Sequence, residues 1–183
     1  MKNSTKHNSQ PIQILTDEDT PLQLENLSMF LYDLVIIHDR LLLFSPYYGY
    51  QVPFGLNFYR RFGRHIEESD KLQVSLITSQ SPIFIEVVTN AADIATLFLA
   101  ALEIAKLVQK VVGRPRQKRM DKLIYQLLTD ELEHHYPHVP PHLRHQFIMR
   151  LSRDISRLCT NKQITIKKLE AKSSKKNYKR RSR

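Results

Sequence analysis

The stretch SPIFIEVVTNAADIATLFLAALEIAKLVQKVVG, residues 81–113, is the longest largely apolar segment of the chain. Ser81 is typical of a helix N-cap, Pro82 of a first helical position, and Gly113 of a helix end. Polar residues recur along it every three or four positions, which predicts one long helix over 82–112 with a single water-facing stripe. The stripe consists of Glu86, Asn90, Asp93, Thr96, Glu103, Lys106 and Lys110.

The five charged residues of this stripe argue against a membrane span, because each costs about 2.5–3.5 kcal/mol near the centre of a bilayer. We therefore expect no integral membrane insertion, while association with a membrane surface stays open. The apolar face is wider than a small sheet needs, so either the first helix or a second copy of the chain covers the excess. In the second case the chain self-associates through the apolar run Leu97, Phe98, Leu99 and Leu102.

Other patterns predict the elements around this helix. Residues 71–80 alternate apolar and polar side chains and predict a strand. The leucines of 21–27 predict a short second strand, and the apolar run that follows predicts a helix starting near Asp33 and ending before Pro46. We expect an α+β fold in which a small sheet packs on one long helix, followed by a helical hairpin and a basic tail.

This fold predicts four consecutive regions. Residues 1–20 are polar and lack the apolar core of a secretory signal, so we expect a disordered arm. Residues 21–113 form the α+β core, and apolar residues at helical spacing predict a hairpin of two helices over 114–160. Residues 161–183 hold a short strand and then a basic tail.

The sequence offers little that predicts catalysis. It carries no phosphate-binding loop, no GxSxG motif and no dinucleotide fingerprint. The single cysteine, Cys159, excludes an internal disulfide framework and a zinc site of several cysteines, which favours a cytoplasmic protein. We therefore expect neither an enzyme nor a bound cofactor.

The segment HHYPHVPPHLRH, residues 134–145, holds five of the eight histidines of the chain. Its prolines favour a turn between two helices. A zinc site would need three or four ligands, and His142 and His145 have a spacing that can share a metal, with His134 or His138 folding across. A pH-sensitive contact is the third interpretation, because imidazole titrates near neutral pH.

Charge divides the chain into two unequal halves. Residues 1–112 hold 9 Lys/Arg against 12 Asp/Glu, whereas residues 113–183 hold 19 against 6. Such asymmetry predicts an anionic partner, which could be nucleic acid, an acidic protein or a membrane surface. For nucleic acid the contacting residues would be Arg114, Arg116, Arg119, Arg150, Arg153, Arg157, Lys167, Lys168, Lys175, Lys176, Lys179, Arg180 and Arg181. The alternative is a solubilising tail, since no RNA-recognition, KH or zinc-finger signature accompanies these residues.

The segments NLSMFLYDL (26–34) and LQVSLITSQSPIFIEVV (72–88) resemble a loose set of small bacterial proteins. The resemblance covers about residues 22–112 and carries no catalytic residue. Some members are similar to accessory, effector-associated components of bacterial defence or signalling systems. From the missing catalytic motifs and the wide apolar helix we expect a non-catalytic interaction or assembly module that self-associates through the long helix, and the resemblance implies an accessory role in a bacterial defence or signalling system. The alternative is a nucleic-acid-binding accessory protein that uses the basic C-terminal half.

Overall fold

The computed structural model describes residues 10–17, 23–52, 66–78, 83–90, 92–111, 117–160 and 164–171. In chain order the strands and helices are β1 (Gln10–Asp17), α1 (Leu24–Leu43), β2 (Gln73–Ile77), β3 (Phe84–Thr89), α2 (Ala92–Val111), α3 (Gln117–His135), α4 (Pro141–Thr160) and β4 (Thr165–Ala171). In the described parts of the connection between α1 and β2, residues Pro46–Tyr48 and Glu68–Asp70 form short 3₁₀ helices.

The four strands form one antiparallel sheet in the order β2-β3-β1-β4. Combined with the chain order β1-α1-β2-β3-α2-β4, this is the split βαβ connectivity of ferredoxin-like folds. The hairpin of α3 and α4 is inserted between α2 and β4. The predicted α+β class is therefore confirmed, as are the strand within 71–80, the helical hairpin and the last strand.

The sheet packs one face against the helices because its central strands alternate buried and part-exposed residues. On β3 the side chains of Ile85 and Val87 are buried, and their direct partners on β1 are Ile14 and Ile12. These β-branched pairs suit a pleated, half-buried surface. These four side chains form the part of the hydrophobic core that the sheet contributes.

Helix α2 lies at the centre of the molecule, in contact with β1, β3 and β4 and with the other three helices. Its predicted polar stripe is confirmed where the stripe lies on the helix, because Asp93, Thr96, Glu103 and Lys110 are exposed. Lys106 forms an ion pair of 3.1 Å with Glu103. Among the described residues, no helix combines the length and the apolar character that a bilayer crossing requires.

The predicted helix over 82–112 is wrong in its first third, which forms β3 instead. Residues 84–89 pair with a strand on each side, and their period of two then buries every second side chain. Two members of the predicted stripe consequently lie off the helix. Glu86 accepts a hydrogen bond from Gln13 Nε2 at 2.8 Å, and Asn90 donates to the backbone carbonyl of Ser69.

Three predictions in the N-terminal part of the chain are also wrong. Residues 10–17, assigned to the disordered arm, form β1 because Ile12 and Ile14 are buried in the core. The sequence predicts a strand over 21–27, but the residues from Leu24 onward form the first turn of α1. Positions 21 and 22 lie outside the described residues. Leu24 is 80% exposed, so the spacing of these leucines does not mark a buried sheet face. Asp33 lies inside α1 rather than at its start.

The hairpin shares the core of the α+β unit. Phe147 of α4 stacks on Phe44, which follows α1, with 3.8 Å between ring centroids. Both rings are fully buried, and burial of one such side chain contributes about 1.5–3 kcal/mol. The predicted boundary near 113 therefore separates two sequence segments that pack around one core.

Candidate interaction surface

The structure places the predicted basic residues on three elements. Arg150, Arg153 and Arg157 lie on α4, Arg119 lies near the start of α3, and Lys167 and Lys168 lie on the edge strand β4. Arg114 and Arg116, and the tail residues Lys175, Lys176, Lys179, Arg180 and Arg181, lie outside the described residues. The surface described below is built from the α4 group.

Helix α4 turns one face to the core and the other to water. Phe147, Leu151 and Ile155 are buried, whereas Arg153 and Arg157 are exposed and Arg150 is half-buried. The steps of three and four residues keep these arginines on one side of the helix. We call Arg150, Arg153 and Arg157 the arginine row.

Arg157 is fixed in position by neighbours on α1 and α4. Its Nε donates to Asp33 Oδ1 at 2.5 Å, and its Nη2 lies 3.8 Å from Asp154 Oδ1. The Arg157 side chain is 45% exposed, whereas the Asp33 side chain is 6% exposed. One edge of the guanidinium group is therefore bound to Asp33, and another part of the side chain is exposed to water.

A second ion pair lies deeper at the same interface. Arg40 Nε of α1 donates to Asp154 Oδ2 of α4, and both side chains are nearly fully buried. Buried charges need such partners because water no longer solvates them. The two pairs together hold α1 and α4 in one register. Burial raises the pKa of Asp33 above its ordinary value, an effect larger than the opposing hydrogen bond and charge of Arg157.

Helix α1 adds an exposed apolar row beside this interface. Met29, Tyr32 and Val35 recur every three residues and are all exposed, which places them along one side of α1. Arg157 links the two rows, since its guanidinium carbon lies 5.9 Å from the centroid of the Tyr32 ring. We call Met29, Tyr32 and Val35 the apolar row.

The start of α3 extends the positive charge. Asp121 Oδ1 accepts a hydrogen bond from Ser156 Oγ at 2.7 Å, so the first turns of α3 lie against the C-terminal half of α4. Arg119 and Lys122 are exposed there. Basic residues near a helix N-terminus oppose the helix dipole, so helix stability does not account for them. Of the four acids of α3, Asp121 lies in this first part of the helix, and Asp130, Glu131 and Glu133 lie towards its other end.

The four candidate zinc ligands, His134, His138, His142 and His145, do not converge. His145 Nδ1 shares a hydrogen bond of 2.7 Å with Tyr125 Oη, and His134 lies edge-on to His135 with 5.6 Å between ring centroids. His138 and His142 are exposed. Within the described part of the chain, no three His, Cys, Asp or Glu side chains converge as metal ligands would. Residues 136–140 of the segment form the turn between α3 and α4, and the rest of the segment lies in the two helices.

The apolar run predicted to mediate self-association belongs to the core of this chain. Leu97, Phe98 and Leu102 are buried, and Leu99 is half-buried. The apolar excess of α2 is covered by α1, α3 and α4, which resolves the question of what covers it. The prediction is wrong because the sequence alone did not show three helices packing on α2.

Sequence reasoning missed a buried polar contact between α1 and the sheet. His38 Nε2 lies 3.0 Å from Thr89 Oγ1, and His38 Nδ1 lies 3.3 Å from Asp39 Oδ1. A hydroxyl, an imidazole and a carboxylate in this order have the composition of a catalytic triad. However, His38 is fully buried and Thr89 is 1% exposed, so no substrate can reach the hydroxyl in this conformation.

Cys159 is equally unsuited to act as a nucleophile. Burial raises the pKa of its thiol to about 12, which keeps the sulfur protonated at neutral pH. Its Sγ donates to the backbone carbonyl of Ala105 at 3.5 Å.

The comparisons with known proteins return nothing: no family model, curated protein or solved structure matches this chain. The connectivity named above describes topology alone, and topology does not determine function. The function proposed below is therefore argued from the chemistry of the arginine row and its neighbours.

Proposed function

We propose that this chain is a non-catalytic binding protein and that its partner is nucleic acid. The observation that carries the proposal is the arginine row of α4, anchored through Arg157 to Asp33 and lying beside exposed Tyr32. A role as an accessory component of a bacterial defence or signalling system rests on the sequence resemblance alone and stays a prediction.

The charge pattern of α4 supports an anionic partner. The only acid among its 20 residues is Asp154, which is buried and paired with Arg40. The exposed residues of α4 therefore include arginines and no acid. Arg150 and Arg157 are seven residues apart, about 10 Å along the helix axis, a span over which a strand offers several phosphates.

Among anionic partners, one that carries phosphates is favoured because the row consists of arginine rather than lysine. The planar guanidinium group can donate two parallel hydrogen bonds to one phosphate and can also stack on a planar ring. Residues 172–183 continue the positive charge with seven Lys/Arg and no acid. This segment directly follows β4, so it could add phosphate contacts to those of the arginine row.

The buried chemistry supports a role without catalysis. The Thr89 hydroxyl and the His38 imidazole, two of the three groups that resemble a catalytic triad, are buried in the core. The Cys159 thiol is protonated at neutral pH. General-base and nucleophilic catalysis both need groups within reach of a substrate. Phosphate contacts, in contrast, need only exposed donors.

The proposal is tested by fluorescence anisotropy of labelled oligonucleotides titrated with the full chain at low salt. The double variant Arg150→Gln/Arg153→Gln removes two charges from the arginine row. Its matched control, Lys71→Gln/Lys106→Gln, removes two charges from ion pairs with Glu68 and Glu103 elsewhere on the molecule. We expect the first variant to lose about tenfold or more in affinity and the control to lose little.

Two results would overturn the proposal. The first is a wild-type chain that binds no oligonucleotide at low salt. The second is an equal loss in both double variants, because affinity would then follow net charge rather than the arginine row. A further variant that ends at Ala171 measures the share of the basic segment 172–183 while keeping β4 in the sheet.

A further inference from the structure

We infer that the nucleic acid is single-stranded and that Tyr32 stacks against one of its unpaired bases. This inference rests on the proposed function and names the class of nucleic acid that the same surface takes. The inference gives a role to the apolar row of α1, which phosphate binding by the arginine row does not require.

The Tyr32 ring is accessible and lies beside a guanidinium group that is itself fixed in position. Its side chain is 49% exposed, so one part of the ring faces water. The Arg157 guanidinium carbon lies 5.9 Å from the ring centroid, a cation–π distance, and Asp33 fixes Arg157 through its Nε.

The arginine row and the apolar row together match the two chemical features of a single strand, its phosphates and its unpaired bases. A single strand presents phosphates and unpaired base faces together, and proteins that bind it combine a basic track with aromatic side chains on which bases stack. The arginine row supplies the basic track, and Tyr32, between Met29 and Val35, supplies an aromatic and apolar contact next to it. A duplex hides its base faces within the stack and could use only the arginine row.

The test compares a fluorescein-labelled oligothymidine with a duplex of the same length, using the full chain. Stacking on one base contributes about fivefold to 150-fold in affinity, so Tyr32→Ala should weaken single-strand binding within that range and leave duplex binding unchanged. Tyr32→Phe keeps the ring and should bind the oligothymidine as the wild type does. Tyr47→Ala is the matched control, since Tyr47 is also exposed but lies after α1, in the 3₁₀ helix Pro46–Tyr48.

The outcomes separate this inference from the proposal beneath it. If the wild type binds both oligonucleotides equally and Tyr32→Ala changes neither, the stacking inference is overturned while nucleic-acid binding stands. If the wild type binds neither, both fall. Binding to vesicles that contain phosphatidylserine, without binding to any oligonucleotide, would assign the same surface to a membrane and would also overturn both. Thermal unfolding of Tyr32→Ala checks that the exposed substitution leaves the fold intact.

Discussion

Arg157 of α4 donates through Nε to Asp33 Oδ1 of α1 at 2.5 Å, across 124 positions of sequence. This contact holds α1 against α4 and positions the arginine row next to Tyr32. It therefore links the stability of the fold to the surface that we propose binds nucleic acid, and the two roles can be separated by mutation.

Arg157→Ala should lower the free energy of unfolding by about 1–3 kcal/mol, because it leaves the buried Asp33 carboxylate without its main cationic partner. Arg153→Ala, on the same face of α4 but exposed, should stay within about 0.5 kcal/mol of the wild type. Urea denaturation at neutral pH measures both values. Equal effects of the two substitutions would show that the contact with Asp33 adds nothing to stability.

The raised pKa of Asp33 gives a pH dependence of definite sign. For a carboxyl group with a higher pKa in the folded chain, its stabilising contribution is fully present below the unfolded value, near 3.8, and is lost as the pH rises through the folded value. The stability of the wild type relative to Asp33→Asn should therefore increase as the pH is lowered from about 7 to about 4. Urea denaturation of both proteins across this range measures the difference, and a decrease would contradict the assignment.

Phe98→Ala distinguishes a core residue from an interface residue. Phe98 is fully buried and packs edge-on against His38 with 5.7 Å between ring centroids, so the substitution should lower the free energy of unfolding by about 3–5 kcal/mol. Leu107→Ala, on the exposed side of the same helix, should cost far less. Denaturation combined with light scattering checks both effects. A stable Phe98→Ala monomer formed from an oligomeric wild type would restore the predicted self-association face.

Cys159 should be almost unreactive in the native chain. With the pKa of its thiol raised to about 12, the thiolate that attacks disulfide reagents is nearly absent at pH values near 8. Labelling with an aromatic disulfide should be more than about a hundredfold slower in the native protein than in concentrated guanidinium chloride. Labelling at the same rate in both conditions would show that the sulfur is accessible and ionised.

The sequence predicted correctly the helices and strands whose apolar residues fit a single period. Its prediction for residues 81–113 failed in part because this segment fits the period of a helix and the period of a strand. Along 81–113, Glu86 and Asn90 fit the helical stripe, while Ile85 and Val87 fit a strand equally well. The strand prevails because neighbours on both sides complete its hydrogen bonds, and those neighbours lie far away in sequence.

The interaction surface was predictable only in part. The spacing of Arg150, Arg153 and Arg157 shows that they share a face of α4, and the structure confirms that arrangement. Their partners gave no local signal: Asp33 and Tyr32 lie in another helix more than a hundred positions away. Nothing in the sequence marked Asp33 and Asp154 as buried, because burial of a charge depends on packing that the sequence does not display.

The central claim is that the arginine row contacts phosphates, and the salt dependence of oligothymidine binding tests it most directly. The slope of the logarithm of the association constant against the logarithm of salt concentration is about −0.7 for each phosphate that a protein neutralises on a single strand. Arg150→Gln/Arg153→Gln should therefore reduce the magnitude of the wild-type slope by about 1.4. An unchanged slope in this variant would contradict the claim.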